Sequence, residues 1–134
     1  MLKELLFNAT PLPLLKKGLD AYALRHRAIA GNIANAETPG YQRQVVNFEE
    51  KLEKALVDQR LHRSHRGHLH RADALERVVP EVERDRAPSD VSGVNNVDID
   101  REMTNLAENT IQFNAAAHLV KMHFEMLKDS IRGI

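Results

Sequence analysis

Between positions 60 and 71 the chain reads Arg-Leu-His-Arg-Ser-His-Arg-Gly-His-Leu-His-Arg, four arginines and four histidines with no acid. Imidazole is a good ligand for zinc, copper or nickel, so this run is the first place to look for a metal. Its surroundings argue against one. The chain has no cysteine, and Asp73 is the carboxylate that stands close by. The local positive charge also repels a cation. Arg60, Arg63, Arg66 and Arg71 suit phosphate better, yet no aromatic residue interleaves with them for base stacking. The run reads as a solvated, protonatable loop, neutralised locally by Glu76, Glu81, Glu83 and Asp85. A second pair with chemical potential is Asp98 and Asp100, either side of Ile99. At the start of a helix, capping and the helix dipole account for both carboxylates. No glycine-rich phosphate loop, nucleophile elbow or paired-histidine zinc motif occurs. The sequence therefore assigns no catalytic, metal or cofactor-binding residue and points away from an enzyme.

Composition sets the class. At 134 residues there is room for one domain, and with no Trp, two Tyr and four Phe a large globular core is not expected. Nineteen basic residues balance nineteen acidic ones, which disfavours a dedicated nucleic-acid binder. Without cysteine there are no disulfides and no thiolate metal sites. The apolar run in Met1-Leu2-Lys3-Glu4-Leu5-Leu6-Phe7-Asn8 is too short for a secretory leader. No stretch approaches the length of a membrane span. The expectation is a chain with no cleaved signal.

Two long periodic segments must position whatever the chain does. Thr10 and Pro11 look like an N-cap and first helical residue. From there Leu12, Leu15, Leu19, Tyr22, His26, Ile29 and Ile33 recur at alternating steps of three and four, a coiled-coil-like seam. At the other end Ile99, Met103, Leu106, Thr110, Phe113, Ala117, Val120, Phe124, Leu127, Ile131 and Ile134 keep the same step. Asp98 is the expected N-cap of that helix, and Lys128 and Arg132 complement its far pole. Ile111, Ala115, Leu119, Met122 and Met126 form a further apolar line on the side away from the seam. A helix packed on one partner is polar there, so this second line predicts a second partner.

The segments divide as follows. Residues 10–36 form the N-terminal helix, and 37–58 a turn, an extended stretch and a short helix. Residues 59–96 form a middle loop with short strands, and 97–134 the C-terminal helix. In the second segment Asn47 and Glu50 make a capping-box pattern, with Phe48, Leu52, Ala55 and Leu56 on one face and Glu50 facing Lys54. In the third, Leu75, Val78, Val79 and Val82 suit strands that Pro80 confines to an edge. Residues 87–93, Ala-Pro-Ser-Asp-Val-Ser-Gly, read as a linker. The fold class expected is mainly α: long N- and C-terminal helices paired as an antiparallel coiled-coil-like unit, with a short helix and a small irregular or β-containing middle.

The first helix ends in Asn32-Ile33-Ala34-Asn35-Ala36-Glu37-Thr38-Pro39-Gly40-Tyr41. Pro39 presets φ for the second position of a β-turn and Gly40 supplies the positive φ of a type II third position. Asn32 and Asn35 carry amides able to bond fraying helix carbonyls. This string resembles the N-terminal signature of the axial proteins of the bacterial flagellum, the rod, hook and hook-associated family. The stretch from Asn95 to Asn114 adds to the likeness. Its part Asn96-Val97-Asp98-Ile99-Asp100-Arg101-Glu102-Met103 is similar to proximal rod proteins of the FlgB type rather than the sibling FlgC type. The resemblance covers roughly residues 12–58 and 95–134 and leaves out the histidine-rich middle. Glu37 and Gln42 replace an aspartate and a lysine common in the signature, without consequence for the turn.

The resemblance implies a structural subunit of the flagellar basal body. Such a chain is exported unfolded through the flagellar type III apparatus and stacks helically into the drive shaft. Its partners would be copies of itself, other rod proteins and the adaptor joining rod to ring, with no cofactor. Carried over residue by residue, Asn32, Ile33, Ala34, Asn35, Thr38, Pro39, Gly40 and Tyr41 shape the bend and contact neighbouring subunits. Leu15, Leu19, Tyr22, Ile29, Met103, Leu106, Phe113, Val120, Phe124 and Leu127 form the inter-helix seam. Two alternatives stay open: the FlgC sibling, and a non-flagellar helical module that uses its Arg/His loop on metal or nucleic acid.

Overall fold

Two helices dominate the computed structural model, which describes residues 11–61, 78–86 and 95–133. Helix α1 spans Leu12–Ala34 and helix α3 Ile99–Arg132. Between them lie strand β1 (Gln44–Val46), helix α2 (Glu49–Leu61) and strand β2 (Val82–Arg84). The chain is mainly helical, as its periodicity predicts. Among the described residues no helix is long and apolar enough to cross a membrane.

Helix α1 begins one residue later than its sequence suggests. Pro11 sits in the cap position without a side-chain cap, its carbonyl accepting from Leu15 N at 3.0 Å. Thr10 lies outside the described residues. Proline at the second helical position is tolerated because that N–H has no intrahelical partner to lose. Helix α3 begins where expected. Asp98 Oδ1 accepts from the backbone N–H groups of Asp100 (2.9 Å) and Arg101 (3.2 Å). The helix stops at Gly133, whose φ of 73° and N–H bond to Asp129 O make a left-handed cap. At about 1.5 Å per residue α3 runs roughly 50 Å.

The helices α1 and α3 pack antiparallel, since Tyr22 faces Asn109 while Asn32 faces Glu102. On its other contact α1 carries the apolar core. Ala21 and Ala28 pack with Val46, Phe48, Ala55 and Val78, flanked by Leu24 and Leu52. Small residues on α1 let β1 approach closely. Phe48 fills the space, edge-on to Tyr22 at 6.3 Å and 76°. This use of Phe48 also corrects the capping box. Helix α2 starts at Glu49, so Phe48 and not Asn47 holds the cap position, and the Glu49 carboxylate rather than Glu50 turns back to accept from Phe48 N. The expected Glu50–Lys54 pair is absent among the described residues. Glu49 binds Arg25 instead, and Lys51 reaches Glu81 at 2.9 Å. Burial raises the Glu49 carboxyl most, but the hydrogen bond and charge of Arg25, together with the backbone N–H groups of Glu49 and Phe48, outweigh it and the group ends below its ordinary pKa.

Strands β1 and β2 form a two-stranded antiparallel sheet with Val46 opposite Val82 and Gln44 opposite Arg84. Strand β2 follows Pro80 and is exposed along its length, as an edge strand limited by proline should be. Leu75, the histidines of positions 62–70 and the linker 87–93 lie outside the described residues.

The seam differs from the periodic line read in the sequence. In α3 the buried residues are Glu102, Asn109 and Ala116, seven apart. Leu106, Ala117, Val120 and Leu127 are half-buried beside them, whereas Met103, Phe113 and Phe124 are exposed. In α1, Leu12 and Ile29 are buried, Leu15, Leu19, Tyr22 and Ile33 are half-buried, and His26 is exposed. The contact line on α3 is thus rotated by about one residue from the apolar one. Its cause is polar: Asn109 Nδ2 donates to Tyr22 O at 3.0 Å and Glu102 meets Asn32 at 2.8 Å. Turning either polar group outward would bring Met103 or Phe113 into the seam, but would leave its partner on α1 unsatisfied.

Candidate functional site

Asn32, in the last turn of α1, has no exposed surface and uses the full capacity of its amide. Its Nδ2 donates to Gln44 O and to Glu102 Oε2, each at 2.8 Å. Its Oδ1 accepts from Gln44 N at 2.8 Å and from the Tyr41 hydroxyl at 3.1 Å. The amide thereby occupies the edge of β1 that faces α1. Arg25 continues the same work one pair along, donating from Nη2 to Val46 O at 2.9 Å.

Glu102 is the second pillar and is fully buried. Its Oε1 accepts from Arg43 Nε at 2.7 Å and from Asn105 Nδ2 at 3.2 Å. Arg43 also reaches Asp85 Oδ2 at 3.1 Å, tying β2 to the same centre. Burial depresses the Arg43 pKa, but hydrogen bonding and charge from Glu102, then from Asp85, raise it above its ordinary value. Tyr41 also shifts upward, first by burial and then by the Glu102 charge. A buried carboxylate is costly unless paired and hydrogen-bonded. Here it has both.

Two further asparagines close the joint. Asn96 inserts into the ladder beyond the strands, accepting from Arg43 N at 2.7 Å and donating to Asp85 O at 3.1 Å. Asn95 Nδ2 lies within reach of the carbonyls of Asn35 (3.2 Å), Ala36 and Thr38 (3.2 Å), and its Oδ1 accepts from Val97 N. Those carbonyls lie just past the end of α1, in its cap and the turn that follows. The turn they belong to has the geometry expected of it. Tyr41 N donates to Thr38 O at 3.2 Å and Gly40 has φ +72°. Asn35 Nδ2 returns to Gly31 O at 2.8 Å, a fraying-end carbonyl.

The two signatures are therefore one structural unit, built across 70 positions of sequence by the Asn32–Glu102 bond. Asn32, Asn35, Tyr41, Asn96, Val97 and Glu102 face inward, with Asp98 as the cap. Ile33 is half-buried. Ala34, Thr38, Pro39 and Gly40 face out, as do Ile99, Asp100, Arg101 and Met103. Sequence reading missed Arg43, Asp85, Asn95, Asn105 and Asn109 as members. The seven-residue step from Glu102 to Asn109 to Ala116 is the signal that marks the last of these.

Beyond the joint, α3 carries the apolar surface. Ile111 (69% exposed), Leu119, Met122 and Met126 stand out from the paired face, joined by Phe113, Phe124 and Ile131 (84% exposed). Helix α3 is 34 residues long against 23 for α1, so its last third continues past the start of α1. Among the described residues no group of histidine and carboxylate side chains is arranged to hold a metal ion.

No family model matches the chain, but whole-length relatives do. The chain is 34% identical over 121 residues to the flagellar basal body rod protein FlgB of Borrelia hermsii, covering 85% of this chain and 90% of that one. It is 32% identical over 127 residues to FlgB of Escherichia coli K12, covering 89% and 86%. With FlgB of Bacillus subtilis it shares 29% identity over 128 residues, 96% of this chain and 97% of the relative. The match to these proteins runs through both signatures and the middle between them, and the chain belongs to the FlgB family of flagellar basal body rod proteins.

Proposed function

We propose that this chain is a structural subunit of the proximal rod of the flagellar basal body, needed for motility. The observation that carries the reading is the division of surfaces in α3. The polar joint fixes the subunit's shape, while Ile111, Leu119, Met122 and Met126 remain uncovered at helical spacing. A contiguous exposed apolar line of this kind marks a protein-interaction surface. Its methionines adapt to irregular partners. The function is assembly and needs no cofactor. Partners are copies of the same chain, other rod proteins, the adaptor between rod and ring, and the flagellar type III export apparatus, with the assembled rod in the periplasm. Relatives of the FlgB name, rather than FlgC, favour this sibling.

Exchanging Pro39 and Gly40 for alanine removes the preset turn while leaving the helices intact. That variant should be expressed but fail to build rods, and cells that swim normally with it would contradict the assignment. Titration with zinc and with duplex DNA separates the rod subunit from a free metal- or nucleic-acid-binding module, since the rod subunit binds neither tightly.

A further inference from the structure

Helix α3 outruns its partner on the very side where the two are paired. Tyr22 faces Asn109, so Leu12, ten residues earlier on the antiparallel helix, falls opposite about position 119. Counted from Asn32 and Glu102 it falls opposite about position 122. Leu127 therefore lies roughly five to eight residues past α1, about 8–12 Å. It shares the paired face, since the step through Glu102, Asn109 and Ala116 continues into Val120, His123 and Leu127. An overhang with nothing against it is exposed on every side. His123 and Leu127 are instead half-buried, and His123 Nε2 is closed to solvent without a hydrogen-bond partner. At the same end Leu12, the first residue of α1, is only 7% exposed.

Chain of matching length is tethered at this spot. Ten residues precede Pro11, and residues 123–132 of α3 run past α1. As helix, each stretch spans about 15 Å. Leu2, Leu5, Leu6 and Ala9 recur at i, i+3, i+4 and i+7, one apolar stripe with Lys3, Glu4 and Asn8 off it. Thr10 precedes a proline and is disfavoured in helical conformation, which separates the stripe from α1 and lets it tilt onto α3. So short a helix does not hold alone and needs a surface to pack on. Its tether sets an effective concentration on the order of millimolar, ahead of any second copy. The other stretch that starts nearby, where Lys17 Nζ donates to Val78 O, carries the arginine–histidine run and little apolar surface.

We infer that residues 2–9 form a short helix that folds against the last third of α3 in the same molecule, continuing the α1–α3 seam with Leu2, Leu5, Leu6 and Ala9 over His123 and Leu127. The contact goes beyond the rod-subunit reading and does not depend on it. It divides the apolar surface at the end of α3 in two. The seam side is covered from within the chain. Met122 and Met126, about 100–140° around the helix from Leu127, stay open to neighbours.

The chain has no cysteine, so introduced thiols report the contact. Leu5→Cys is combined with Leu127→Cys, or with Met126→Cys as the control at the same level off the seam. Each full chain is purified, held at high dilution and treated with a short bis-maleimide, and mass spectrometry separates links within a chain from links between chains. The pair with Leu127→Cys should link within one chain at least about tenfold faster than the control, at a rate independent of protein concentration. Equal rates, or links formed mainly between chains, overturn the inference and leave the rod reading standing. If substitution at Leu127 unfolds the chain, hydrogen exchange decides. Leu5→Glu with Leu6→Glu puts charge on the stripe and leaves α3 unaltered. Amide exchange across 123–132 should then quicken at least about tenfold while exchange across 102–116 holds. Exchange unchanged at 123–132, or quickened equally over both stretches, overturns the contact.

Discussion

Glu102→Gln tests the joint most directly, because the change is nearly isosteric and the site admits no solvent. The carboxylate accepts three hydrogen bonds, from Asn32, Arg43 and Asn105. An amide offers one acceptor atom, so whichever way it turns, a donor faces a donor. If its NH2 replaces Oε2, it opposes Asn32 Nδ2. If it replaces Oε1, it opposes Arg43 and Asn105. Removing one partner of a buried ion pair costs about 3–5 kcal/mol. Arg43 retains Asp85 at 3.1 Å and its side chain is 12% exposed, so the low end applies, about 3 kcal/mol. At about 1.4 kcal/mol per factor of ten, the folding constant falls on the order of a hundredfold. Denaturant unfolding of the purified chain, followed by far-ultraviolet circular dichroism, measures this directly. Asp85→Asn, on the more exposed arm of the same arginine, should lose only about 1 kcal/mol. Arg43→Met combined with Glu102→Gln should lose less than the sum of the two single changes, since the pair is already broken. A Glu102→Gln loss below about 1 kcal/mol, or strict additivity with Arg43→Met, would refute the claim that this cluster holds the two signatures together.

Other outcomes follow from the same contacts. Phe48→Ala empties the core cluster and should cost about 3–5 kcal/mol in the same unfolding assay. Gly40→Ala meets no atoms, so its cost is the backbone term alone, about 1–2 kcal/mol, and Gly40→Asn should recover part of it. Leu119→Glu lies on the uncovered line of α3 and should change monomer stability by less than about 0.5 kcal/mol while abolishing motility in a complementation assay. Tyr41 has its pKa raised in the folded chain. Its contribution is complete below the unfolded value near 10 and is lost as pH rises through the folded one. Stability should therefore decline in alkali, and Tyr41→Phe should flatten that decline.

Much of this architecture was legible because it depends on local chemistry. Asp98 caps α3 through a side chain that reaches two residues on, and Pro39-Gly40 sets its turn through φ alone. Neither needs a distant partner. The apolar line Ile111, Leu119, Met122 and Met126 was readable for the same reason, since helical spacing defines a face whatever covers it. What escaped were contacts whose logic is nonlocal. Nothing near Glu102 in sequence announces that Asn32 and Arg43 will enclose it, and as a charged residue it reads as surface. The seam was misread by about one residue on that account. Apolar periodicity ranked Met103 and Phe113 above Glu102 and Asn109, but burial followed hydrogen-bond satisfaction. Asn47 failed as a cap through a similar competition, because packing of Phe48 fixed where α2 begins.

The rotation of that seam bears on how such a subunit works. Net hydrogen-bond contributions are about 1 kcal/mol each, whereas a fully buried large apolar side chain returns about 1.5–3 kcal/mol. A helix pair held by Asn109–Tyr22 and Glu102–Asn32 gains register more than energy. Hydrogen bonds are directional, and slipping either helix by one residue breaks both. Met103 and Phe113, which would have strengthened the pair from inside, stand outside instead. An apolar seam would have spent these side chains within one molecule and left little to drive association. Under the proposed function, a polar seam keeps the monomer's shape defined at modest stability and holds back the larger free energy for neighbours that cover α3. On that proposal register is settled by polar contacts within the subunit and cohesion by apolar contacts between subunits, so a substitution should damage either without the other.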